Sequence, residues 1–258
     1  MLPFDEAGSG PPVVLLHAGI ADRTMWSEHL EPLAAAGYRP IAFDMPGFGE
    51  AAVEPGAQAP WNDVLTAMDG LGIDRAALIG NSFGGAVALR AAFVAPERAW
   101  ALAMISAPSP DLEPSPRLTA AFEAEESALK RGETNEAVNA VIDAWTLPDA
   151  PKRLRDRIAT MQRRAYELQK DAKDATEASD PIPDLEALTK LEVPTLVAAG
   201  EHDMPDFLKS AEKMATVIRS ARLEVIPDAG HLAPLETPDA FRRLVAEFLG
   251  EREAMGEG

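Results

Sequence analysis

The stretch IGNSFGG, residues 79–85, places one serine among three glycines where two patterns meet. The residues before it have the continuous hydrophobicity of a buried strand, and the apolar residues after it fit the first turn of a helix. Gly80-x-Ser82-x-Gly84 is the nucleophile-elbow pattern, in which a strained turn holds the serine hydroxyl above the sheet. Small neighbours suit such a turn because backbone segments approach each other closely there. The alternative is a glycine-rich turn without chemistry, because so short a pattern also arises by chance.

Short apolar runs recur along the chain, and most of them end at turns that contain glycine or proline. They occupy residues 13–16, 39–43, 76–79, 100–106, 194–199 and 222–226. Continuous rather than alternating hydrophobicity is typical of parallel strands buried on both faces. Helix-length stretches lie between several of these runs, and they occupy residues 26–36, 83–95, 206–218 and 239–249. The alternation of strands and helices predicts an α/β protein with a parallel sheet.

Residues 108–190 break this alternation, because no strand-like run occurs within them. A proline-rich opening, residues 108–116, is followed by apolar residues spaced three, four and seven apart, which indicates amphipathic helices. These apolar positions include Leu118, Phe122, Leu129, Val138, Ile142, Trp145, Ile158 and Met161. The pattern predicts an all-helical cap inserted before the last two strands. We therefore expect a core domain of residues 1–107 and 191–258, and a helical cap of residues 108–190.

Charge and composition restrict the classes of partner. A net charge of -18 repels phosphate backbones and anionic membranes, so we expect neither nucleic acid nor membrane as a partner. The chain contains no cysteine, which excludes disulfides and thiolate chemistry. Its first residues lack the basic and apolar regions of a signal peptide, and no run approaches the ~18 apolar residues of a membrane span. These features predict a cytoplasmic enzyme or binding protein.

The serine hydroxyl needs a base to become a nucleophile, and the base needs an orienting partner. His231 lies in the loop after the last predicted strand, and Asp203 follows the strand before it. Loops after the carboxyl ends of parallel strands gather at one edge of the sheet, where Ser82 also lies. The order Ser82, Asp203, His231 is that of the α/β-hydrolase template. We expect a catalytic triad of these three residues, with Glu201 as the alternative acid.

The other histidines and one aspartate are expected to have different roles. His17 ends the first long strand and is expected to tie its loop by hydrogen bonds. His29 is expected on the surface of the first helix, and His202 is expected to be a bystander. Asp44 ends a strand, where it either braces a loop or lines the pocket.

Five segments resemble the α/β-hydrolase-fold serine hydrolases, in particular the small esterases, enol-lactonases and perhydrolases. They are VVLLHAGIADRTMW (13–26), AFDMPGFGE (42–50), GNSFGGAVAL (80–89), VAAGEHD (197–203) and AGHLAPLETPDAF (229–241). The resemblance implies hydrolysis of esters or lactones through an acyl-enzyme, with no metal and no organic cofactor. It also implies that the insertion roofs the pocket.

The oxyanion hole and the first residues depart from the family pattern. The backbone N–H groups of Phe83 and Gly19 are the expected donors, and the N–H of Phe83 lies at a helix N-terminus. The chain has His17-Ala18 where the family usually has His-Gly, so Ile20 stays an alternative to Gly19. About twelve residues precede the first clear strand, so the leading antiparallel hairpin is expected to be shortened or missing.

Three classes of function follow. The first is a carboxylic ester hydrolase, lactones included, acting on small to medium neutral or apolar esters as a monomer or homodimer. The second is a carbon–carbon bond hydrolase of β-diketone-like substrates, and the third is a non-enzymatic binding protein of the same fold. The intact triad argues against the third class, and the lack of a glycine- and proline-rich front loop argues against the second. Five arginines of the insertion are expected on a polar helix face: Arg153, Arg155, Arg157, Arg163 and Arg164.

Overall fold

The secondary structure comes from a computed structural model that describes residues 1–170, 172 and 174–254. The strands are β1 Phe4–Glu6, β2 Pro12–Leu16, β3 Arg39–Phe43, β4 Gly56–Gln58, β5 Ala76–Asn81, β6 Ala99–Ile105, β7 Ala175–Glu177, β8 Thr195–Gly200 and β9 Ala221–Ile226. The helices are α1 Ser27–Ala35, α2 Pro60–Gly70, α3 Phe83–Val94, α4 Pro116–Lys130, α5 Thr134–Trp145, α6 Lys152–Gln169, α7 Pro205–Val217, α8 Ala233–Glu236 and α9 Pro238–Ala254. Each predicted apolar run forms a strand. No helix in the described part of the chain has the length and apolar character needed to cross a bilayer.

Seven strands form one sheet in the order β1-β3-β2-β5-β6-β8-β9. β1 is antiparallel to β3, with Phe4 opposite Phe43 and Glu6 opposite Ile41. The other neighbours in this sheet are parallel. The mostly parallel sheet is therefore confirmed, and a single three-residue strand stands in place of the family's leading hairpin, which was expected to be shortened or missing.

Alternate residues of the inner strand β2 enter two separate hydrophobic clusters. Val14 and Leu16 pack into one cluster with residues of α2 and α3, and Val13 and Leu15 pack into the other with residues of α1 and α9. All four side chains are fully buried. Helices thus cover both faces of the sheet, which is why its strands read as continuous apolar runs.

The insertion supplies α4, α5 and α6 between β6 and β8, before the last two strands as predicted. Leu118, Val138 and Ile158 of its predicted apolar faces are fully buried. Within the described residues, the insertion differs from the all-helical expectation at β7, which pairs in parallel with β4 in a separate two-stranded sheet. The strand is three residues long and depends on a partner more than a hundred residues away, so no local pattern marks it. The boundaries at residues 108 and 190 stay a prediction.

The prediction that His29 lies on the surface of α1 is wrong. Its side chain is fully buried, and its ring centroid lies 5.0 Å from that of Phe241 on α9. The ring atom Nε2 lies 2.9 Å from the carbonyl oxygen of Pro234. α9 covers this face of α1, and that long-range contact could not be deduced from the helix alone. Burial lowers the pKa of His29 to about 4, so the imidazole is neutral at pH 7 and Nε2–H donates to Pro234.

Candidate active site

Ser82 occupies the turn between β5 and α3 with φ 54° and ψ -116°. A positive φ is strained for a residue that carries a Cβ atom. A Cβ atom added to Gly80 would lie 2.1 Å from the carbonyl oxygen of Gly84, and one added to Gly84 would lie 2.1 Å from that of Leu16. These two positions therefore require glycine, as the elbow pattern predicts.

Ser82, His231 and Asp203 come together in one hydrogen-bonded chain. The Nε2 atom of His231 lies 2.8 Å from the Ser82 Oγ atom. Its Nδ1 atom lies 3.0 Å from the Asp203 Oδ1 atom, and both side chains are buried. A carboxylate accepts only, so we assign the ring proton to Nδ1, which leaves Nε2 to accept the serine proton. The Asp203 Oδ1 atom also accepts the N–H of Met204 at 2.7 Å.

Glu236 fixes the loop that carries His231, and sequence reasoning missed it. Its Oε2 atom accepts the backbone N–H groups of Gly230 at 2.9 Å and Leu232 at 3.2 Å. Its Oε1 atom accepts the N–H of Leu147 at 2.9 Å, which joins the loop to the insertion. Burial raises the pKa of the Glu236 carboxyl, and the three N–H bonds oppose that rise. The signal in the sequence was a glutamate five residues after the histidine, within reach of the loop's own N–H groups.

Asn81, the residue before the serine, ties the turn to two other loops. Its Nδ2 atom donates to the carbonyl oxygens of Ile105 and His231, each at 3.0 Å. The N–H of Ser82 also donates to Ile105, at 2.7 Å. These bonds connect the end of β5 to the end of β6 and to the loop that carries His231.

Gly19 and Phe83 are the expected sources of the oxyanion donors. Both residues line the cavity above the serine, as does Ile20. A Cβ atom added to Gly19 would lie 3.4 Å from the Phe83 Cβ atom, which shows how closely the two loops approach. The N–H of Phe83 begins α3, and N–H groups at a helix start favour negative charge. The assignment of the N–H groups of Phe83 and Gly19 as oxyanion donors, with Ile20 as the alternative to Gly19, stays a prediction.

The side chains of His17 and Asp44 are buried and form hydrogen bonds to neighbouring loops. The Nε2 atom of His17 accepts the N–H of Met45 at 3.0 Å, and Nδ1 lies 2.8 Å from the carbonyl oxygen of Ala18. Burial lowers the pKa of His17, which keeps it neutral in this role. Asp44 accepts the N–H of Arg23 at 2.8 Å and forms an ion pair with its guanidinium. Both side chains brace loops, and neither lines the cavity above Ser82.

A cavity of about 300 Å³ lies over Ser82 and His231. The insertion contributes Leu118, Phe122, Glu125 and Trp145 to its wall. The His231 imidazole lies between two aromatic rings, with ring centroids 4.6 Å from Trp145 and 4.3 Å from Phe207. The insertion therefore shapes the cavity and shields the base, as expected for a roof.

The expected alternative acid, Glu201, does not reach the base. Its carboxylate accepts the N–H of Asp228 at 3.1 Å on the surface. Glu201, His202 and Asp228 could offer ligand atoms that lie within 4.8 Å of one another, but all three residues are exposed. Exposed acidic groups of this kind are common without a metal.

Comparisons with known proteins agree on one family. The model of the Alpha/beta hydrolase family matches residues 13–244, which contain every residue of the predicted site. The chain is similar to a 2-hydroxy-6-oxo-6-phenylhexa-2,4-dienoate hydrolase of Comamonas testosteroni, with 31% identity over 98% of this chain and 92% of that protein.

Two solved structures are also similar to this chain. One is a thermophilic esterase from Thermogutta terrifontis, with 28% identity, a TM-score of 0.78 and coverage of 97% of this chain and 93% of the other. The second is the enol-lactonase from Burkholderia xenovorans LB400, with 25% identity, a TM-score of 0.76 and coverage of 96% of each chain. These comparisons confirm the predicted fold class and the resemblance on which it was based.

Proposed function

The chain belongs to the α/β hydrolase family, and we propose that it hydrolyses carboxylic esters, lactones included, through an acyl-enzyme on Ser82. The observation that carries this proposal is the chain of contacts from the Ser82 Oγ atom through the imidazole of His231 to Asp203, with distances of 2.8 and 3.0 Å. A serine hydroxyl bonded to a base that is itself oriented by a buried carboxylate is the arrangement of an activated nucleophile.

The proposed reaction has two stages. The Ser82 Oγ atom attacks the carbonyl carbon while the Nε2 atom of His231 takes its proton, and Asp203 stabilises the imidazolium that forms. The N–H groups of Phe83 and Gly19 bind the oxyanion. Collapse of the tetrahedral intermediate expels the alcohol, which receives the proton from His231. Water then attacks the acyl-enzyme with His231 as base, and the carboxylic acid and free Ser82 result.

The wall of the cavity favours ester substrates over those named for the Comamonas relative. A 2-hydroxy-6-oxo-dienoate carries a carboxylate and a ketone but no ester, so its hydrolysis breaks a carbon–carbon bond. Neither lysine nor arginine is among the described residues that line this cavity. A buried carboxylate without a cationic partner is unfavourable. We therefore infer a preference for substrates without a negative charge.

The arginines of α6 do not supply the missing cation. Arg155 pairs with Asp143, and Arg164 donates to the carbonyl oxygen of Gly49 at 3.1 Å. Arg157 donates to the carbonyl oxygen of Thr24. None of these three arginines lines the cavity, and their contacts support the expectation that they lie on a polar face of the helix.

Carbon–carbon bond hydrolysis is the second candidate, and the sequence identity to the Comamonas relative favours it. The test compares kcat/KM for p-nitrophenyl acetate and butyrate with kcat/KM for 2-hydroxy-6-oxo-6-phenylhexa-2,4-dienoate. We expect the esters to be at least about 100-fold better substrates, and Ser82→Ala to abolish both reactions. The reverse preference would make the carbon–carbon bond the natural target.

A further inference from the structure

Glu125 is an ionisable side chain in an otherwise apolar wall. Apart from Ser82 and His231, it is the only residue with an ionisable side chain among the described residues that line the cavity. It lies on α4, one helical turn after Phe122. Its carboxylate is half-buried. A carboxylate in such a wall is costly to desolvate unless it has a partner.

The partners of Glu125 within the described chain are neutral. Tyr166 donates from its hydroxyl to the Glu125 Oε1 atom at 2.7 Å, and Gln162 approaches the same oxygen with Nε2 at 3.5 Å. No described residue donates to Oε2, and no described lysine or arginine forms an ion pair with this carboxylate. Burial raises the pKa of the Glu125 carboxyl, although the Tyr166 bond opposes the rise. The negative charge therefore lacks a cationic partner within the described protein.

Two aromatic rings lie on the same wall. The ring centroids of Phe122 and Trp145 are 5.8 Å apart, and both residues line the cavity. Phe122 is 48% exposed, so its ring is open to a ligand rather than enclosed by the core. Aromatic faces attract organic cations within about 6 Å of the ring centroid. A carboxylate in the same cavity wall as two aromatic rings is a suitable receptor for a positively charged nitrogen.

We propose that Glu125 selects ester substrates that carry a cationic nitrogen, an amine or a quaternary ammonium group, which Phe122 and Trp145 contact through their rings. This inference rests on the proposed ester hydrolysis and names its substrate class. The carboxylate of Glu125 pairs with the cation, and Tyr166 bonds its Oε1 atom, which leaves Oε2 without a donor among the described residues. The net charge of -18 acts in the same direction, because an acidic surface draws cationic substrates and repels anionic ones.

The test uses two acetates of matched shape at pH 8: acetylcholine, and its uncharged carbon analogue 3,3-dimethylbutyl acetate. In the wild type, kcat/KM is expected to be about tenfold higher for the cationic ester. In Glu125→Gln this ratio should fall by about threefold or more, because the amide keeps the shape and loses the charge while the two aromatic rings remain. The ratio is measured within each variant, so a loss of folded protein cancels.

Glu123→Gln is the matched control, because Glu123 is an exposed residue of the same helix and the variant removes the same charge. It should keep the wild-type ratio. A wild-type ratio near one, or a ratio that is unchanged in Glu125→Gln, would overturn the assignment.

Binding to Ser82→Ala separates this inference from the proposed reaction. If the wild type hydrolyses neither acetate, ester hydrolysis fails, and calorimetry on Ser82→Ala still tests the cation site. The Kd of acetylcholine should be about tenfold lower than that of the uncharged analogue. In the double variant Ser82→Ala/Glu125→Gln the difference between the two values should shrink by about threefold or more. Equal affinities in Ser82→Ala itself would overturn the inference whatever the outcome of the kinetic assay.

Discussion

The elbow, residues 76–94, and the cavity wall of α4 and α5 differ in what holds their functional groups. In the elbow, β5 is wholly buried. Two glycines there allow backbone segments to approach so closely that a Cβ atom would clash. On the wall, Phe122 is 48% exposed and Glu125 is half-buried. The groups that line this part of the cavity are therefore side chains that the core does not enclose. The difference indicates that bond cleavage and substrate choice can be changed separately.

The largest expected effect is a loss of kcat from a change in the catalytic triad. Asp203→Asn should lower kcat by roughly 10⁴-fold, because an amide in this position favours the wrong imidazole tautomer. The melting temperature and the ratio between any two ester substrates should change little. The control is Asp228→Asn, an exposed residue in the loop before His231, which should keep wild-type kcat. If Asp203→Asn retains a tenth or more of the wild-type kcat, the acid lies elsewhere.

A smaller effect is expected where the two regions meet. Glu236 holds the histidine loop and also accepts the N–H of Leu147 from the insertion. Gln at this position has one acceptor oxygen for three N–H groups, so Glu236→Gln should misplace His231 and lower kcat roughly tenfold or more. Steady-state kinetics beside Glu212→Gln, an exposed residue of α7, provide the comparison. An unchanged kcat in Glu236→Gln would show that the loop keeps its position without this carboxylate.

The smallest effect concerns stability and lies wholly in the core. His29 is neutral in the folded protein because burial lowers its pKa from 6.5 to about 4. The unfolded chain binds a proton below pH 6.5, so stability falls as the pH falls from 6.5 towards 4. Between pH 7.5 and 5 this residue should account for a loss of about 2 kcal/mol in the free energy of unfolding.

Urea unfolding of wild type and His29→Gln at both pH values measures that loss. The glutamine keeps an N–H donor for Pro234 and does not titrate, so the variant should lose less stability on acidification. His17 is present in both proteins and cancels in the difference. Equal losses in the two proteins would contradict the assignment to His29.

The catalytic side could be predicted from the sequence because its signals are local. Gly80, Ser82 and Gly84 lie within five residues of one another. The two glycines are needed because backbone atoms lie where a Cβ atom would be. Asp203 and His231 each follow a strand, so the parallel sheet alone brings them to the same edge as Ser82. The geometry agrees with all three expected positions.

The substrate side could not be predicted because it depends on contacts between distant segments. Glu125 is one of several glutamates of α4, and only the packing of that helix over the serine separates it from its exposed neighbours. His29 is buried by α9, and β7 exists through its pairing with β4. Neither contact leaves a periodic pattern of apolar residues in the sequence.

α2 was not anticipated from the sequence. Its buried residues Val64, Ala67 and Met68 lie close to a loop rich in glycine, alanine and proline.

Ser82 is proposed to carry the acyl group during turnover. The most direct measurement is reaction of the folded protein with a fluorophosphonate, followed by peptide mapping by mass spectrometry. We expect one adduct, on Ser82, which forms in the wild type and is lost in Ser82→Ala. Labelling should be greatly slowed in His231→Ala, because the serine then has no base. An adduct on another serine, with Ser82 unmodified, would contradict the assignment of Ser82 as the nucleophile.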